Sequence, residues 1–264
     1  MSIWIQLAER GFTTDGMIRY GICKLLQDRL DQIKLESKTQ SEWIAELESS
    51  SLAVDTHAAN EQHYEIPTAY FQTVLGKHLK YSSGLWPIGS ESLDESEAAM
   101  LERTCQRAEL IDGQRILEIG CGWGSLSLWM ATNYPSSQIV AVSNSNSQRE
   151  YIRSQVVKRQ LRNIEVVTCD INDFEPAGCF DRVVSVEMFE HVRNHRALLG
   201  LIADWLKPSG KLFVHIFTHK EHSYLFEAKS AKDWMSQYFF TGGIMPSADL
   251  LPTAAETLVE EARW

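Results

Sequence analysis

Two carboxylates and an imidazole follow an apolar run in the second half of the chain. The run covers residues 183–186 and stops at Glu187, and Glu190 and His191 follow within four positions. Acids three residues apart share one side of a helical turn, and their crowding can raise the pKa of one carboxyl toward neutrality. The pattern makes Glu190 and His191 candidate bases and Glu187 a candidate carboxylate that faces a bound ligand. The alternative is that Glu190 caps the next helix and His191 is a solvated first-turn residue.

A glycine-rich turn follows the earlier apolar segment "RILEIG". Glu118 precedes Gly120, Gly122 and Gly124, in the spacing G-x-G-x-G. Glycines allow a tight turn and a close approach of the backbone to a ligand, and the helix that follows offers free N–H groups. The spacing differs from the G-x-G-x-x-G of dinucleotide binders, and the carboxylate favours a ligand with an ammonium group. A turn without any ligand is the alternative.

The elements that must position these residues alternate between strand and helix from about residue 113. Strands are predicted at 115–120, 138–143, 164–170, 181–188 and 211–219, and helices at 125–134, 148–160 and 196–206. This alternation predicts a parallel α/β sheet covered on both faces, with ligands beyond the carboxyl ends of the strands. Residues 1 to about 60 predict helices instead, at 16–33 and at 41–50 with Ser41 as N-cap.

Length, charge and cysteine usage narrow the class of protein. The 264 residues suit one large domain, or one domain with a small accessory layer. The net charge of −10 argues against nucleic acid as a partner. No apolar run reaches the roughly 20 residues of a membrane span, and the first residues do not form a signal peptide. Five scattered cysteines predict neither zinc nor disulfides, so we expect a cytoplasmic protein without a metal.

Five motifs in the chain resemble one enzyme family. They are "HYEIP" (63–67), "KYSSGLW" (80–86), "ILEIGCGWGS" (116–125), "SNSNSQREYI" (143–152) and "FDRVVSVEMFEHV" (180–192). They resemble S-adenosylmethionine-dependent methyltransferases of the cyclopropane-fatty-acid-synthase-like family, and "VEMFEH" is similar to the coclaurine N-methyltransferase type and its bacterial relatives. The similarity runs from about residue 4 to the end of the chain. It implies a class I methyltransferase fold, a Rossmann-like doubly wound sheet with an N-terminal helical cap.

The resemblance also implies S-adenosylmethionine as cofactor and a set of residues that bind it. The implied set is Tyr81, Ser82, Glu118, Gly120, Gly122, Ser143, Asn144, Gln148, Asp170 and Ile171. Tyr81 and Ser82 are expected at the methionine end. Ser143, Asn144 and Gln148 stand where many methyltransferases use an acid for the ribose. Asp170 and Ile171 are expected to face the adenine.

Two of these assignments have structural alternatives. Ser143 and Asn144 are common turn formers, and Asp170 could cap a helix or a turn. His215, inside the fifth predicted strand, either belongs to the core or lines the site.

The resemblance implies N-methylation of a small-molecule amine by Glu187, Glu190 and His191. An amine with a pKa of roughly 9 to 10 is mostly protonated at neutral pH, so a base must remove its proton. Carboxylates also stabilise the cationic product. Residues 233–247, with four aromatic side chains, are expected to form part of the acceptor wall, or alternatively to pack the cap onto the core.

Lipid methylation, as in cyclopropane-fatty-acyl-phospholipid synthases, is the main alternative activity. Those enzymes hold a bicarbonate base partly through a cysteine after the Tyr-Ser pair, and this chain has Ser83 there. The chain also lacks a basic amphipathic patch for a lipid surface. O-methylation of a hydroxyl acceptor is a further alternative. The sequence makes no prediction of the oligomeric state.

The resemblance divides the chain into two regions. Residues 1–80 are expected to form a helical cap and cofactor lid, and residues 81–264 the S-adenosylmethionine-binding domain. The family's sheet normally continues through two strands after this point, so the domain is expected to be C-terminally truncated, with an open edge at strand five. A non-catalytic cofactor-binding protein is therefore another alternative.

Overall fold

Five parallel strands form the central sheet, which confirms the predicted doubly wound α/β architecture. The computed structural model describes residues 3–35, 38–54, 66–229 and 233–264. The strands are β1 (Arg115–Ile119), β2 (Gln138–Ser143), β3 (Ile164–Thr168), β4 (Phe180–Val186) and β5 (Leu206–His215), in the order β3-β2-β1-β4-β5. Because the strand order reverses between β1 and β4, the carboxyl ends of these two strands flank the switch point where such sheets bind ligands.

Helices precede, connect and follow these strands. They are α1 (Ile3–Glu9), α2 (Asp15–Leu35), α3 (Gln40–Glu48), α4 (Thr68–Val74), α5 (Leu93–Arg107), α6 (Ser125–Asn133), α7 (Asn146–Lys158), α8 (His195–Trp205), α9 (Trp234–Tyr238) and α10 (Leu250–Ala254). A 3₁₀ turn covers Phe189–His191, and β6 (Tyr224–Leu225) pairs antiparallel with β7 (Ile244–Met245). Among the described helices, none combines the length and apolar character that crossing a bilayer requires.

The side chains of each strand alternate between two hydrophobic cores. Ile116 and Val184 pack on one face with residues of α5 and α6. Leu117 and Val183, one position away on the same strands, pack on the other face with α3, α8 and α10. Burial on both faces explains why the strands are continuous apolar runs rather than alternating ones. The two layers hold the ends of β1 and β4 rigidly side by side.

Helix α3 starts earlier than the sequence prediction. Thr39, not Ser41, is the N-cap: its hydroxyl accepts from the Glu42 amide, and the Glu42 carboxylate accepts from the Thr39 amide. This capping box requires an acid three residues after the cap. Thr39 has that acid and Ser41 does not, so the N-cap prediction was wrong.

The outer edge of β5 is next to the last residues of the chain. Lys211 contacts Glu261 at 2.5 Å, and the rings of Phe213 and Trp264 are 6.3 Å apart. The described residues after Ala254 form no strand. Lys211 and Phe213 lie on the same face of β5, so the last residues pack against that face, and no described strand pairs with the outer edge of β5. The motif residues 63–65, and part of the predicted cap, lie outside the described residues.

Candidate active site

A cleft of about 620 Å³, counted with its open mouth, lies at the carboxyl ends of β1 and β4. The β1–α6 turn, the start of α6 and the segment before α5 line it. Seven of the predicted site residues are in this lining: Tyr81, Ser82, Glu118, Gly120, Gly122, Gln148 and Glu187. The fold thus brings together residues from four separate parts of the sequence.

The glycine turn at the end of β1 has a left-handed backbone. Gly120, Gly122 and Gly124 have φ angles of 80°, 51° and 76°, which disfavour residues with a β-carbon. A β-carbon at Gly120 would lie 2.7 Å from Met188, and one at Gly124 2.6 Å from Ile152, whereas nothing lies within 4 Å at Gly122. Gly120 and Gly124 therefore permit close packing, and Gly122 leaves backbone open to the cleft.

Glu118 is a buried carboxyl group in the lining of the cleft. It is 3% exposed and accepts a hydrogen bond from the Ser127 hydroxyl. Burial raises its pKa to about 8, while Ser127 and the charge of Lys80 act in the opposite direction. A cationic ligand group next to Glu118 would favour the ionised form of its carboxyl group. This agrees with the expectation from the sequence that the carboxylate suits a ligand with an ammonium group.

Gln148 offers the cleft a hydrogen-bond donor without a partner. The Ser143 hydroxyl donates to its Oε1 at 2.7 Å, which fixes the amide, and its buried Nε2 has no partner among the described residues. A buried donor without an acceptor is costly, so a ligand acceptor fits this position. Ser143 does not line the cleft and supports Gln148 instead; Asn144 also lies outside the lining.

Asp170 and Ile171 follow β3 and lie away from this cleft. Asp170 Oδ1 accepts from the backbone N of Asn172 at 2.9 Å and from its Nδ2 at 2.7 Å. Asn172 in turn donates to the Ala53 carbonyl at 3.2 Å. Asp170 thus stabilises a turn, and Ile171 packs against the core below α3 and α8. Their contact with the adenine stays a prediction.

The segment that carries Tyr81 and Ser82 is fastened to α5 by a buried acid. Glu97 is 1% exposed and accepts from the amides of Gly76 at 2.8 Å and His78 at 3.0 Å. The buried ring of Phe71 packs against Tyr81 at 5.4 Å and against Trp123 at 4.9 Å. These contacts fix the segment over the glycine turn.

Glu187, directly after β4, has a strained backbone. Its φ is 52°, and its amide donates to the His215 carbonyl at 2.8 Å. Its Oε1 lies 3.7 Å from His215 Nε2 and 3.4 Å from the Ser83 hydroxyl. A left-handed conformation is unfavourable for a residue other than glycine and is typical of functional sites. Glu187 lines the cleft.

Glu190 is a buried carboxyl group beside Glu187. It is 1% exposed, and its Oε1 accepts from the Phe217 amide at 3.2 Å. Burial raises its pKa to about 8, and the charge of Glu187 acts in the same direction. The crowding expected from the sequence is present, but burial is the larger cause.

His191 and His215 occupy different surroundings. The ring of His191 lies 5.5 Å from that of Phe240, and His191 does not line the cleft. His215 is the imidazole next to Glu187; burial lowers its pKa, and Glu187 opposes that shift. The sequence did not decide between a core and a site position for His215, and its position in mid-strand was the available signal.

Lys80 is a charged residue of the cleft lining that was not among the predicted site residues. It is 8% exposed and its Nζ donates to the Ser82 carbonyl at 2.6 Å. The only signal was a lysine directly before the Tyr-Ser pair. Within the described ranges, no group of three or more His, Cys, Asp or Glu is placed to hold a metal ion.

The predicted acceptor wall is partly next to these acids. Phe240 stacks on Phe226 at 5.1 Å and contacts Phe217 at 5.3 Å, on the side where His191 lies. Trp234 instead donates to Glu9 of α1 at 3.3 Å. Phe240 thus suits the acceptor wall, and Trp234 suits packing of the cap.

Comparison with known proteins gives the same assignment as the motifs. The family described as Mycolic acid cyclopropane synthetase matches residues 53–259. (S)-Coclaurine N-methyltransferase of Thalictrum flavum subsp. glaucum is 39% identical over 204 residues, which cover 76% of this chain and 56% of that protein. Pavine N-methyltransferase of the same plant is 36% identical over 220 residues, covering 83% and 62%. The chain thus spans less than two thirds of the length of either enzyme.

A solved structure extends the similarity to three dimensions. The crystal structure of coclaurine N-methyltransferase bound to N-methylheliamine and SAH matches with a TM-score of 0.84 at 32% identity, over 96% of this chain and 76% of that one. The family predicted from the motifs is therefore confirmed: the chain belongs to the mycolic acid cyclopropane synthetase family, with the fold of its N-methyltransferase members.

Proposed function

We propose that this chain is an S-adenosylmethionine-dependent methyltransferase that methylates the nitrogen of a small-molecule amine. The observation that carries the proposal is the pair of crowded carboxyl groups, Glu187 and Glu190, beside the glycine-turn cleft. Relatives at 36–39% identity are named as N-methyltransferases. Acids at this point suit an acceptor that becomes cationic when it is methylated.

The cleft has groups that fit the cofactor. Glu118 suits the ammonium of its methionine end, the Nε2 of Gln148 suits an oxygen acceptor, and the open backbone at Gly122 suits close approach. Tyr81, Ser82 and Gly120 complete the proposed contacts, with Ser143 supporting Gln148. Bound S-adenosylmethionine supplies an electrophilic methyl group on a sulfonium. Asn144, Asp170 and Ile171 remain proposed contacts of the cofactor's ribose and adenine.

Glu187 and Glu190 bind the amine acceptor and remove its proton in this proposal. Glu187 faces the cleft and attracts the protonated amine. Glu190, with a pKa raised to about 8, accepts the proton of the amine in its ionised form, which becomes the main form above about pH 8. His215 supports the orientation of Glu187. His191 is proposed on the acceptor side, next to Phe240. The aromatic cluster of Phe71, Tyr81 and Trp123 forms one side of the cleft.

Lipid methylation is less well supported. Ser83, which replaces the bicarbonate-holding cysteine expected of lipid-modifying relatives, donates its hydroxyl to Glu187 at 3.4 Å. The position is thus used to orient a carboxylate. We propose an amine acceptor in the cytoplasm as the working assignment, with residues 1–80 as cap and lid.

Two measurements on the same purified protein test the proposal. Isothermal titration with S-adenosylhomocysteine measures cofactor binding. Mass spectrometry follows methyl transfer to a panel of hydrophobic secondary and tertiary amines, with unsaturated phospholipid vesicles in parallel. Methylated amines are expected. Methylated or cyclopropanated lipid would support the alternative activity, and binding without any transfer would identify a non-catalytic cofactor-binding protein.

A further inference from the structure

The cleft contains a buried cation that the proposed chemistry does not use. Lys80 is 8% exposed and lines the cleft between the Tyr81–Ser82 pair and the end of β1. Its Nζ donates to the Ser82 carbonyl at 2.6 Å. A buried ammonium is unfavourable unless it has partners, so its surroundings decide whether it stays charged.

Burial lowers the pKa of Lys80, and the charges of three carboxyl groups, Glu187, Glu118 and Glu97, oppose part of that shift. Two of these carboxyl groups also accept hydrogen bonds from other groups. Glu97 accepts from two backbone amides, and Glu118 accepts from the Ser127 hydroxyl. Because the ordinary pKa of lysine is about 10.4, Lys80 contributes a positive charge to the cleft lining near neutral pH, and its own burial limits the screening of that charge.

Such a charge acts differently on the two forms of the cofactor. S-Adenosylmethionine has a positive sulfonium, and S-adenosylhomocysteine has a neutral thioether in its place. A cation in the cleft lining weakens binding of the first relative to the second, whatever the exact distance, because only the first has the extra charge. It also favours the direction of transfer, in which positive charge leaves the sulfur.

We propose that Lys80 is a specificity-determining residue whose positive charge sets the relative affinity of the cleft for the sulfonium donor and its thioether product. This inference rests on the proposed function. It gives Lys80 a role in cofactor binding, whereas Glu187 and Glu190 act on the acceptor nitrogen.

Titration calorimetry with both cofactor forms tests the role of Lys80. The neutral variants are Lys80→Met and Lys80→Gln, and the glutamine amide can still donate to the Ser82 carbonyl. Lys80→Arg keeps the charge, and Lys77→Met removes the charge of an exposed lysine on the same segment. Both neutral variants should shift the affinity ratio toward S-adenosylmethionine by about fivefold or more. Lys80→Arg and Lys77→Met should stay within about twofold of the wild type.

The pattern of the two affinities distinguishes the outcomes. An affinity ratio in Lys80→Gln that equals the wild-type ratio would overturn the inference. If both ligands also bind more weakly by the same factor, Lys80 is a purely structural residue. Circular dichroism identifies a variant that does not fold, and the other neutral variant then decides. A wild-type protein that binds neither ligand would instead remove the proposed function itself.

Discussion

Burial of Glu190 disfavours the ionised form of its carboxyl group, and the first prediction concerns the replacement of this residue. Replacing it by glutamine keeps the size and the acceptor for the Phe217 amide but removes the base. We expect turnover to fall roughly 100-fold or more, with the dissociation constant for S-adenosylhomocysteine nearly unchanged. Glu165→Gln, at an exposed acid on β3, is the matched control. Equal losses of turnover and cofactor affinity would contradict a role as base.

The raised pKa of Glu190 also predicts two pH dependences. Wild-type turnover should rise as the pH approaches about 8, where the carboxylate forms, and this dependence should be lost in Glu190→Gln. The folded-state pKa lies above the unfolded value of about 4.3. The contribution of Glu190 to the free energy of unfolding is therefore full below that value and is lost as the pH rises to about 8. Urea unfolding of both proteins from pH 5 to 8 measures the difference.

The sequence predicted the acids of the site better than its cations and imidazoles. Glu118 and Glu187 line the cleft because each comes at or after the end of a strand that points to it. The role of His215 and the burial of Lys80 could not be read from spacing. The role of His215 depends on its contact with Glu187. The electrostatic surroundings of Lys80 depend on Glu97 and Glu118, which belong to distant elements of the sequence.

The turn between β1 and α6 can be tested as an element. In Gly124→Ala, the new β-carbon would lie 2.6 Å from Ile152 at a φ of 76°. Strain and overpacking should lower the free energy of unfolding by about 2–4 kcal/mol. Gly200→Ala is the matched control, because Gly200 is exposed in α8 with nothing within 4 Å; it should be neutral or stabilising by about 0.5–1 kcal/mol. Denaturant unfolding measures both, and equal effects would contradict the packing argument.

The attachment of the Tyr81 segment to α5 gives a second prediction for an element. In the wild type, two backbone N–H groups donate to the carboxylate oxygens of Glu97. In Glu97→Gln, the side-chain NH₂ would face one of these N–H groups, and that hydrogen bond would be lost. We expect a loss of about 1–3 kcal/mol in the free energy of unfolding and weaker binding of S-adenosylhomocysteine. Glu102→Gln, exposed on the same helix, should change neither quantity. Unchanged cofactor binding in Glu97→Gln would show that the segment does not contribute to the site.

Strands and connecting helices were predictable because their apolar periodicity is local. The five strands of the sheet and the three connecting helices α6, α7 and α8 were found within a few residues of their predicted positions, although β5 begins at Leu206, five residues before the prediction. That shift follows an irregular register between β4 and β5 near Phe180. It depends on the neighbouring strand, which a local pattern does not contain.

The predicted N-terminal cap divides into parts with different relations to the core. In α3, Trp43, Ile44 and Leu47 are buried in the core shared with α8 and α10. Helix α2 buries only Ile33 among its residues and leaves Leu26 59% exposed. Leu47→Ala should therefore cost about 2–4 kcal/mol in the free energy of unfolding, and Leu26→Ala less than about 0.5 kcal/mol. Chemical denaturation tests this, and similar losses would contradict the division.

This division explains what the sequence could not show at the scale of the molecule. Apolar spacing predicted both α2 and α3 as helices, but the same spacing does not reveal which helix has a partner. That depends on the surface left by α8 and α10, which forms only when the whole chain folds.

The left-handed backbone at Glu187 has a consequence for engineering. A side chain in this conformation costs the fold roughly 1–2 kcal/mol, and glycine would not incur that cost. Selection for heat resistance alone would thus tend to replace this acid. Any directed-evolution campaign on this scaffold should screen for methyl transfer alongside thermal tolerance, since gains in stability at this residue would remove the carboxylate that is proposed to bind the acceptor amine.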